Sequence, residues 1–477
     1  MGKINFVTKD NNLQRLILVF LLFVIGLGLS LFLYNRYGQL QKNIYRLRIE
    51  NVQLKDKIGN YRRELEECSL RFVRKFEIRL TPKGGYVFYL KGRPFLIKGV
   101  SYNPTPIGKS YDYEFFSDPN KPWLVDGKLM KEAGINCIRI YSTGSDLEKV
   151  KEFIKDMYER FGIYTIVSDW LGLWDYPYAN YSDAEFREKT KERVLKIVRA
   201  LKDQEGVLMW ILGNENNYTF SGRIRFWTSP EIEKLEDHCA KQEKRAEIYY
   251  SFVNELAKEI KKIDSVHPVA LGNGEASFLN IAAANSPDID VLAIIAYRGK
   301  TFGNIFTAIK TLFDKPILLS EFGCDSYDAY KEREDQEIQA EFILAQWKEI
   351  YANTTISKNI NGNSIGGCLF EWTDEWWKHN EGYSEDWTMH NKEAGWSHGA
   401  YYFDIRAKDN LNMNEEWFGI VSLDKEIENN INKRIPKKAY YVLKEFLSQI
   451  TSINNLKFNF LEGDQENKAS ENLPPTQ

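Results

Sequence analysis

The sequence predicts an α/β fold, a (β/α)8 (TIM) barrel, preceded by a transmembrane helix and a short coiled coil. Three observations predict it. From about residue 79 onward, short apolar runs alternate with amphipathic helical patterns. An uncharged apolar stretch occupies residues 16–33. Behind it, leucines recur at seven-residue spacing at 40, 47 and 54.

Composition bounds the problem. A chain of 477 residues is long enough for one large domain with accessories. A net charge of −3 gives nucleic-acid binding no support. Aromatic residues make up 14% of the chain, which fits a large aromatic core or a cleft whose ring faces stack on sugar rings. The five cysteines are odd in number and show no C-x-x-C spacing, so neither a disulfide framework nor a zinc site is expected. Cys137, Cys324 and Cys368 lie in apolar strand-like contexts and are expected as buried thiols.

The amino-terminal elements come first in order. Residues 1–12 read as a short tail and 13–34 as a membrane-spanning helix. The apolar core of the latter is about 18 residues, near the roughly 20 that cross a bilayer. Tyr34, Asn35 and Arg36 follow it, not the small-x-small site of a cleaved signal. Lys3, Lys9 and Arg15 precede it while Arg36, Lys42, Arg46 and Arg48 follow, so charge alone does not orient it. Residues 35–72 carry heptads, with Ile44, Asn51, Ile58 and Leu65 at one seam position and Leu40, Leu47, Leu54, Tyr61 and Cys68 at the other. Leu at d, Ile at a and one Asn at a predict a parallel homodimeric coiled coil, with Cys68 placed to cross-link it. The alternative is a single helix packed on the main domain.

Residues 73–450 are expected to form the barrel and 451–477 a loose polar tail. Residues 86–90 and 95–100 flank Lys91-Gly92-Arg93-Pro94 and read as a hairpin. The strand candidates are 95–102, 137–141, 164–169, 207–213, 269–272, 291–296, 316–320 and 367–370. Between them Leu147, Val150, Phe153, Ile154 and Met157 form one helical stripe. Ser182-Asp183-Ala184-Glu185 reads as a capping box opening another, with Val194, Ile197, Val198 and Leu201 inward. Further helices are expected near 241–263, 302–313 and 333–351. A doubly wound open sheet is the alternative, but no G-x-G-x-x-G follows the first strand. Residues 377–404 form an aromatic loop holding His379, His390 and His398, whose spacing fits no familiar metal pattern.

In a parallel barrel, active sites form at the carboxyl tips of the strands. The fourth run ends in Gly213-Asn214-Glu215 and the seventh in Glu321-Phe322-Gly323. The second carries Arg139 inside an apolar run, where a buried guanidinium needs a carboxylate. Tyr102 ends the first strand, Asp169 the third and Tyr297 the sixth; Glu371-Trp372 ends the eighth. Two carboxylates on one rim are the parts that glycoside hydrolysis needs, one as nucleophile and one as acid and then base. Arg139 is expected beside the nucleophile, and Tyr297 is placed to donate to Glu321.

On these residues the chain resembles glycoside hydrolase clan A over about residues 84–447. The resemblance implies Glu215 as acid/base, Glu321 as nucleophile, Asn214 on the sugar 2-hydroxyl and Trp372 as the floor of the −1 subsite. Residues 95–102, Gly213-Asn214-Glu215-Asn216-Asn217 and Ser320-Glu321-Phe322-Gly323-Cys324 are similar to family 72 β-1,3-glucanosyltransferases. Residues 366–372, 417–421 and 436–440 are similar to the family 2 catalytic barrel. The implied activity is retaining hydrolysis or transglycosylation of a β-linked oligo- or polysaccharide, with no metal or organic cofactor. Tyr102 and Asp169 are further substrate-binding candidates. A catalytically idle, glycan-binding or scaffolding barrel on a membrane stalk is the alternative.

Overall fold

The computed structural model describes residues 11–72, 75–328, 331–378, 382–392 and 413–450. The expected tail at 451–477, His379 and His398 lie outside them, as does the side chain of Cys68. The chain divides into two compact units, Met1–Val73 and Arg74–Gln477.

In the first unit Asn11–Phe72 is one α-helix. Within it lies a segment long and apolar enough to cross a membrane, by length and composition. The seam residues Leu40, Leu47 and Leu54 are exposed on this single helix.

The second unit is a closed, parallel, eight-stranded barrel in chain order. Its strands are β1 (Ile97–Ser101), β2 (Cys137–Ile140), β3 (Tyr164–Asp169) and β4 (Val207–Leu212). They continue as β5 (Val269–Gly274), β6 (Val291–Ile295), β7 (Ile317–Phe322) and β8 (Ser364–Leu369). β8 closes onto β1, pairing Gly366 with Ile97 and Leu369 with Val100. All eight expected strands are present, each within a few residues of its expected bounds.

The strands form where they do because both of their faces are covered. Every residue of β2, β4, β5, β6, β7 and β8 is buried, the pattern that a barrel wrapped in helices imposes. The covering helices include Trp123–Glu132, Leu147–Asp156, Ala184–Leu201, His238–Ile263, Ile305–Leu312 and Gln336–Ala352, with residues 438–450 following β8. Val194, Val198 and Leu201 face inward as expected. The cap of that helix is Asp183, not Ser182: the Asp183 carboxylate accepts from the Phe186 N–H at 2.9 Å. Cys137, Cys324 and Cys368 are buried free thiols.

The expected hairpin is rearranged. Tyr86–Leu90 pairs with Arg93–Pro94 and, on its other side, with Phe76–Leu80, a strand not anticipated. Residues 97–101 leave this small sheet for the barrel, where their apolar faces are covered on both sides. Phe76 and Phe88 join Ile97, Cys137, Ile166 and Leu318 in one apolar cluster, so the sheet plugs the amino-terminal end of the barrel. The opposite end, where the strand tips lie, is left for chemistry. A second hairpin, Val421–Glu428 with Ile431–Pro436, is also new. The buried Lys437–Asp374 ion pair at 2.7 Å ties it to the segment after β8.

Gly213 ends β4 with φ of +77°, and a Cβ there would lie 2.2 Å from the Tyr249 hydroxyl oxygen. Gly213→Ala is therefore expected to destabilise the barrel by roughly 2–4 kcal/mol, from left-handed backbone strain plus overpacking. That hydroxyl has no hydrogen-bond partner among the described residues. Tyr249→Phe in the same background should recover part of the loss. Urea melts of the three variants measure this.

Candidate active site

Glu321 is the second-to-last residue of β7 and is buried. Three donors converge on it. Arg139 Nη1 donates to Oε1 at 2.8 Å, the Tyr141 hydroxyl donates to the same oxygen at 3.0 Å, and the Tyr297 hydroxyl donates to Oε2 at 3.0 Å. Such a cradle stabilises negative charge on the carboxylate. Burial pushes both tyrosine hydroxyls well above their ordinary pKa, and the Glu321 charge adds to this, so both stay protonated as donors.

Arg139 is the hub. It is 0% exposed, and each part of its guanidinium is used. Nε donates to Ser168 Oγ at 3.1 Å, Nη1 also to the Ser320 carbonyl at 3.1 Å, and Nη2 to Asn214 Oδ1 at 2.7 Å. One side chain from β2 thus holds the tips of β3, β4 and β7 together. Arg139→Ala would strand the buried Glu321 carboxylate and leave the Asn214 and Ser168 acceptors unfilled. It is expected to cost roughly 3–5 kcal/mol of stability, read as a lower urea midpoint.

Glu215 stands two residues past Gly213 and keeps part of its surface exposed. Its carboxyl is pushed up to about 8, first by desolvation and then by the negative charges of Glu321 and Glu415; Arg139 and Lys378 pull the other way. The residues after it fix its backbone. Asn216 Oδ1 accepts from the Asn214 N–H at 2.7 Å, and Asn217 exchanges two hydrogen bonds with Gly274 of β5, at 2.9 and 2.8 Å. One rim therefore carries a cradled carboxylate and, electrostatically coupled to it, a carboxyl that stays protonated at neutral pH.

Arg139, Asn214, Tyr297 and Glu321 meet in one network, and Glu215 senses it through charge. Tyr141 was not anticipated. It stands two residues past Arg139, so strand alternation puts both on one face, and that spacing was the available signal.

Three expected residues lie elsewhere. Tyr102 is buried, donates to Asp126 Oδ2 at 2.9 Å and stacks on Phe153. Arg434 holds the same aspartate, so Tyr102 belongs to a core polar network. Asp169 is occupied by Arg193 at 2.8 Å and by the Leu171 N–H at 2.8 Å, and it shapes the loop after β3. Trp372 is 0% exposed and packs against Tyr440 beneath the last helix. β8 ends at Leu369, so strand alternation does not carry to it. The ring that lies against the Glu321 donors is the buried Phe370, edge-on to both Tyr141 and Tyr297, with centroids 6.5 and 6.3 Å away; the Phe370–Glu371 peptide is cis.

Beside Phe370, Lys378 bridges Glu375 and Glu415, each at 3.0 Å. Burial opposes the Lys378 charge, but Glu375, Glu415 and Glu371 outweigh it and raise its pKa. His390 is stacked between Trp376 and Trp417, and burial lowers its pKa to about 3. No group of three potential metal ligands occurs among the described residues.

Residues 79–361, more than half of the chain, match the glycoside hydrolase 72 family, described as glucanosyltransferase. The chain belongs to this family. The family 72 match takes in the tips of β1 to β7, with Glu215 and Glu321, and ends before β8. The three segments similar to family 2 lie outside it. A 1,3-beta-glucanosyltransferase of Saccharomyces cerevisiae is 23% identical over 317 residues, covering 61% of this chain and 58% of that protein. A 1,3-beta-glucanosyltransferase of Aspergillus fumigatus is 29% identical over 157 residues, covering 31% of each. The chain thus spans less than two thirds of the length of these relatives. Among solved structures, the Bacteroides uniformis beta-glucuronidase aligns with a TM-score of 0.49 at 15% identity, covering 77% of this chain and 36% of that one. The Rhizomucor miehei endo-1,4-beta-mannanase aligns with a TM-score of 0.43 at 16% identity, covering 62% and 90%.

Proposed function

We propose that this chain is a membrane-anchored retaining β-1,3-glucanosyltransferase. The observation that carries the reading is the pair itself: Glu321 cradled by Arg139, Tyr141 and Tyr297, and Glu215 raised to about 8 beside it. Glu321 Oε1 already accepts two hydrogen bonds and Oε2 only one, so Oε2 keeps the free lone pair and attacks the anomeric carbon. The bond to the leaving oxygen breaks as Glu215 gives that oxygen its proton, and a glycosyl ester on Glu321 forms.

The ester carries no charge. One of the causes that raises the Glu215 pKa is then gone, and the group becomes a base. It takes the proton of an incoming sugar hydroxyl, whose oxygen attacks the anomeric carbon and frees Glu321. The same residue is an acid when Glu321 is charged and a base when it is esterified. Asn214, held by Arg139, is placed for the sugar 2-hydroxyl, and Phe370 replaces Trp372 as the ring beside the reacting sugar. Residues 13–34 anchor the enzyme, the exposed heptad seam pairs two copies, and the barrel faces the extracytoplasmic glucan.

The test is incubation of the full chain with a linear β-1,3-gluco-oligosaccharide of defined length. Products longer than the substrate are expected, and Glu321→Gln should make none. Shorter products alone would reduce the reading to hydrolysis, and no product at all would overturn it. Removing residues 1–72 should release activity from the membrane fraction.

A further inference from the structure

An aromatic series leads away from the nucleophile. Tyr141, which donates to Glu321, is stacked on Trp170 with centroids 4.9 Å apart and planes 18° from parallel. Trp170 meets Trp174 edge-on at 6.1 Å. The Arg225 guanidinium lies over the faces of both Trp174 and Tyr178, at 5.1 and 4.7 Å. Tyr176 closes the series 6.1 Å from Tyr178. Beyond the half-buried Trp170 the rings are exposed: Trp174 is 54%, Tyr178 46% and Tyr176 91% exposed.

Large exposed rings in a row are unusual on a folded surface and mark a binding site. This row is built into the rim. Asn216, the neighbour of Glu215, donates to the Trp170 carbonyl at 2.9 Å. Arg193 grips Asp169 and Asp175 at the two ends of the turn. Asn180 and Ser182 both donate to the Thr228 carbonyl at 3.2 Å, which staples the loop after β3 to the loop after β4 that carries Arg225. Arg225 makes no ion pair among the described residues. Among the described residues no acceptor takes its N–H edges, while its face is held by rings.

We propose that Trp174, Tyr178 and Arg225 form a remote glucan subsite, binding pyranose units of the substrate well beyond those that flank the scissile bond. The inference rests on the proposed glucan chemistry. The occupant is argued from continuity: the row begins at a catalytic hydrogen bond, and flat apolar faces spaced along a path suit successive ring faces of a neutral sugar chain. Its rings are pre-positioned, so little ordering is lost when a chain binds.

The experiment measures binding and turnover separately. Linear β-1,3-gluco-oligosaccharides of increasing length are titrated calorimetrically into full-length Glu215→Gln, with and without Trp174→Ala/Tyr178→Ala. Affinity should rise with chain length in the parent and lose about tenfold of that rise in the triple variant, the scale of truncating anchoring aromatic residues. Trp174→Phe should restore much of it, which a merely unfolded loop would not. A length dependence that is equal in both proteins would overturn the proposal. Turnover by the unmutated chain independently tests the proposed function.

Discussion

Replacing Glu321 by glutamine is expected to lower turnover of a β-1,3-glucan by about 10⁴-fold or more, the scale seen when a covalent nucleophile is removed. The fold should survive the change. Glutamine keeps an oxygen for the Arg139 and Tyr141 donors and turns its amide N–H toward the Tyr297 hydroxyl, which can accept it, and no buried charge is left alone except that of Arg139, which retains the Asn214, Ser168 and Ser320 acceptors. A loss of activity with an unshifted far-ultraviolet spectrum therefore reports chemistry, not folding.

The assignment of the two glutamates has a sharper test, because each occupies its own side of the anomeric carbon. With Glu321→Gly, azide can enter only the space that the nucleophile left. A single displacement on an activated β-glycoside should then give the α-glycosyl azide. With Glu215→Ala, the glycosyl ester still forms from a substrate with a good leaving group, and azide arrives on the face the leaving group vacated. That product should be the β-glycosyl azide. Interchanged anomers would interchange the two roles, and α product from both variants would exclude double displacement.

Much of this site was legible because its residues obey local rules. β4 and β7 are short apolar runs covered on both faces, so their tips, and hence Glu215 and Glu321, could be located without any contact map. Arg139 stood out because a guanidinium inside an apolar run must find a carboxylate. The misplaced residues share a different cause. Tyr102 is taken up by Asp126, 24 residues away, which Arg434 holds from 308 residues further on. Trp372 is drawn under Tyr440 by a helix that follows a hairpin no local pattern announced. Asp169 sits at a strand tip like a catalytic residue, and only Arg193 on the next helix decides otherwise. A strand tip says where a side chain starts; its partner, set by tertiary packing, says where it ends.

Glu215 should impose a pH limit on activity and a measurable destabilisation on the fold. In the proposed cycle the acid form is the active one, and desolvation pushes its pKa up to about 8. The kcat/KM of the free enzyme should hold through neutrality and fall as pH rises through about 8. In Glu215→Ala, assayed with an activated leaving group, that basic limb should vanish. Stability follows the same proton. Because the folded pKa lies above the unfolded value near 4.5, the fold binds the proton more tightly than the unfolded chain does. The contribution of this group is fully present below about 4.5 and is lost as pH rises through about 8. Glu215→Gln carries no such penalty, so it should be more stable than the parent at pH 8 by roughly 1–3 kcal/mol, a range set below the full linkage value because the side chain is partly exposed. At pH 4 the two should converge. The neighbour supplies the last test. Desolvation is the larger cause of the raised pKa and the Glu321 charge the next, so Glu321→Gln should lower the Glu215 pKa without returning it to the ordinary carboxylate range. Carbon-13 titration of labelled glutamates would read this directly. A Glu215 pKa that does not move when Glu321 loses its charge would break the coupling on which the acid-to-base switch depends.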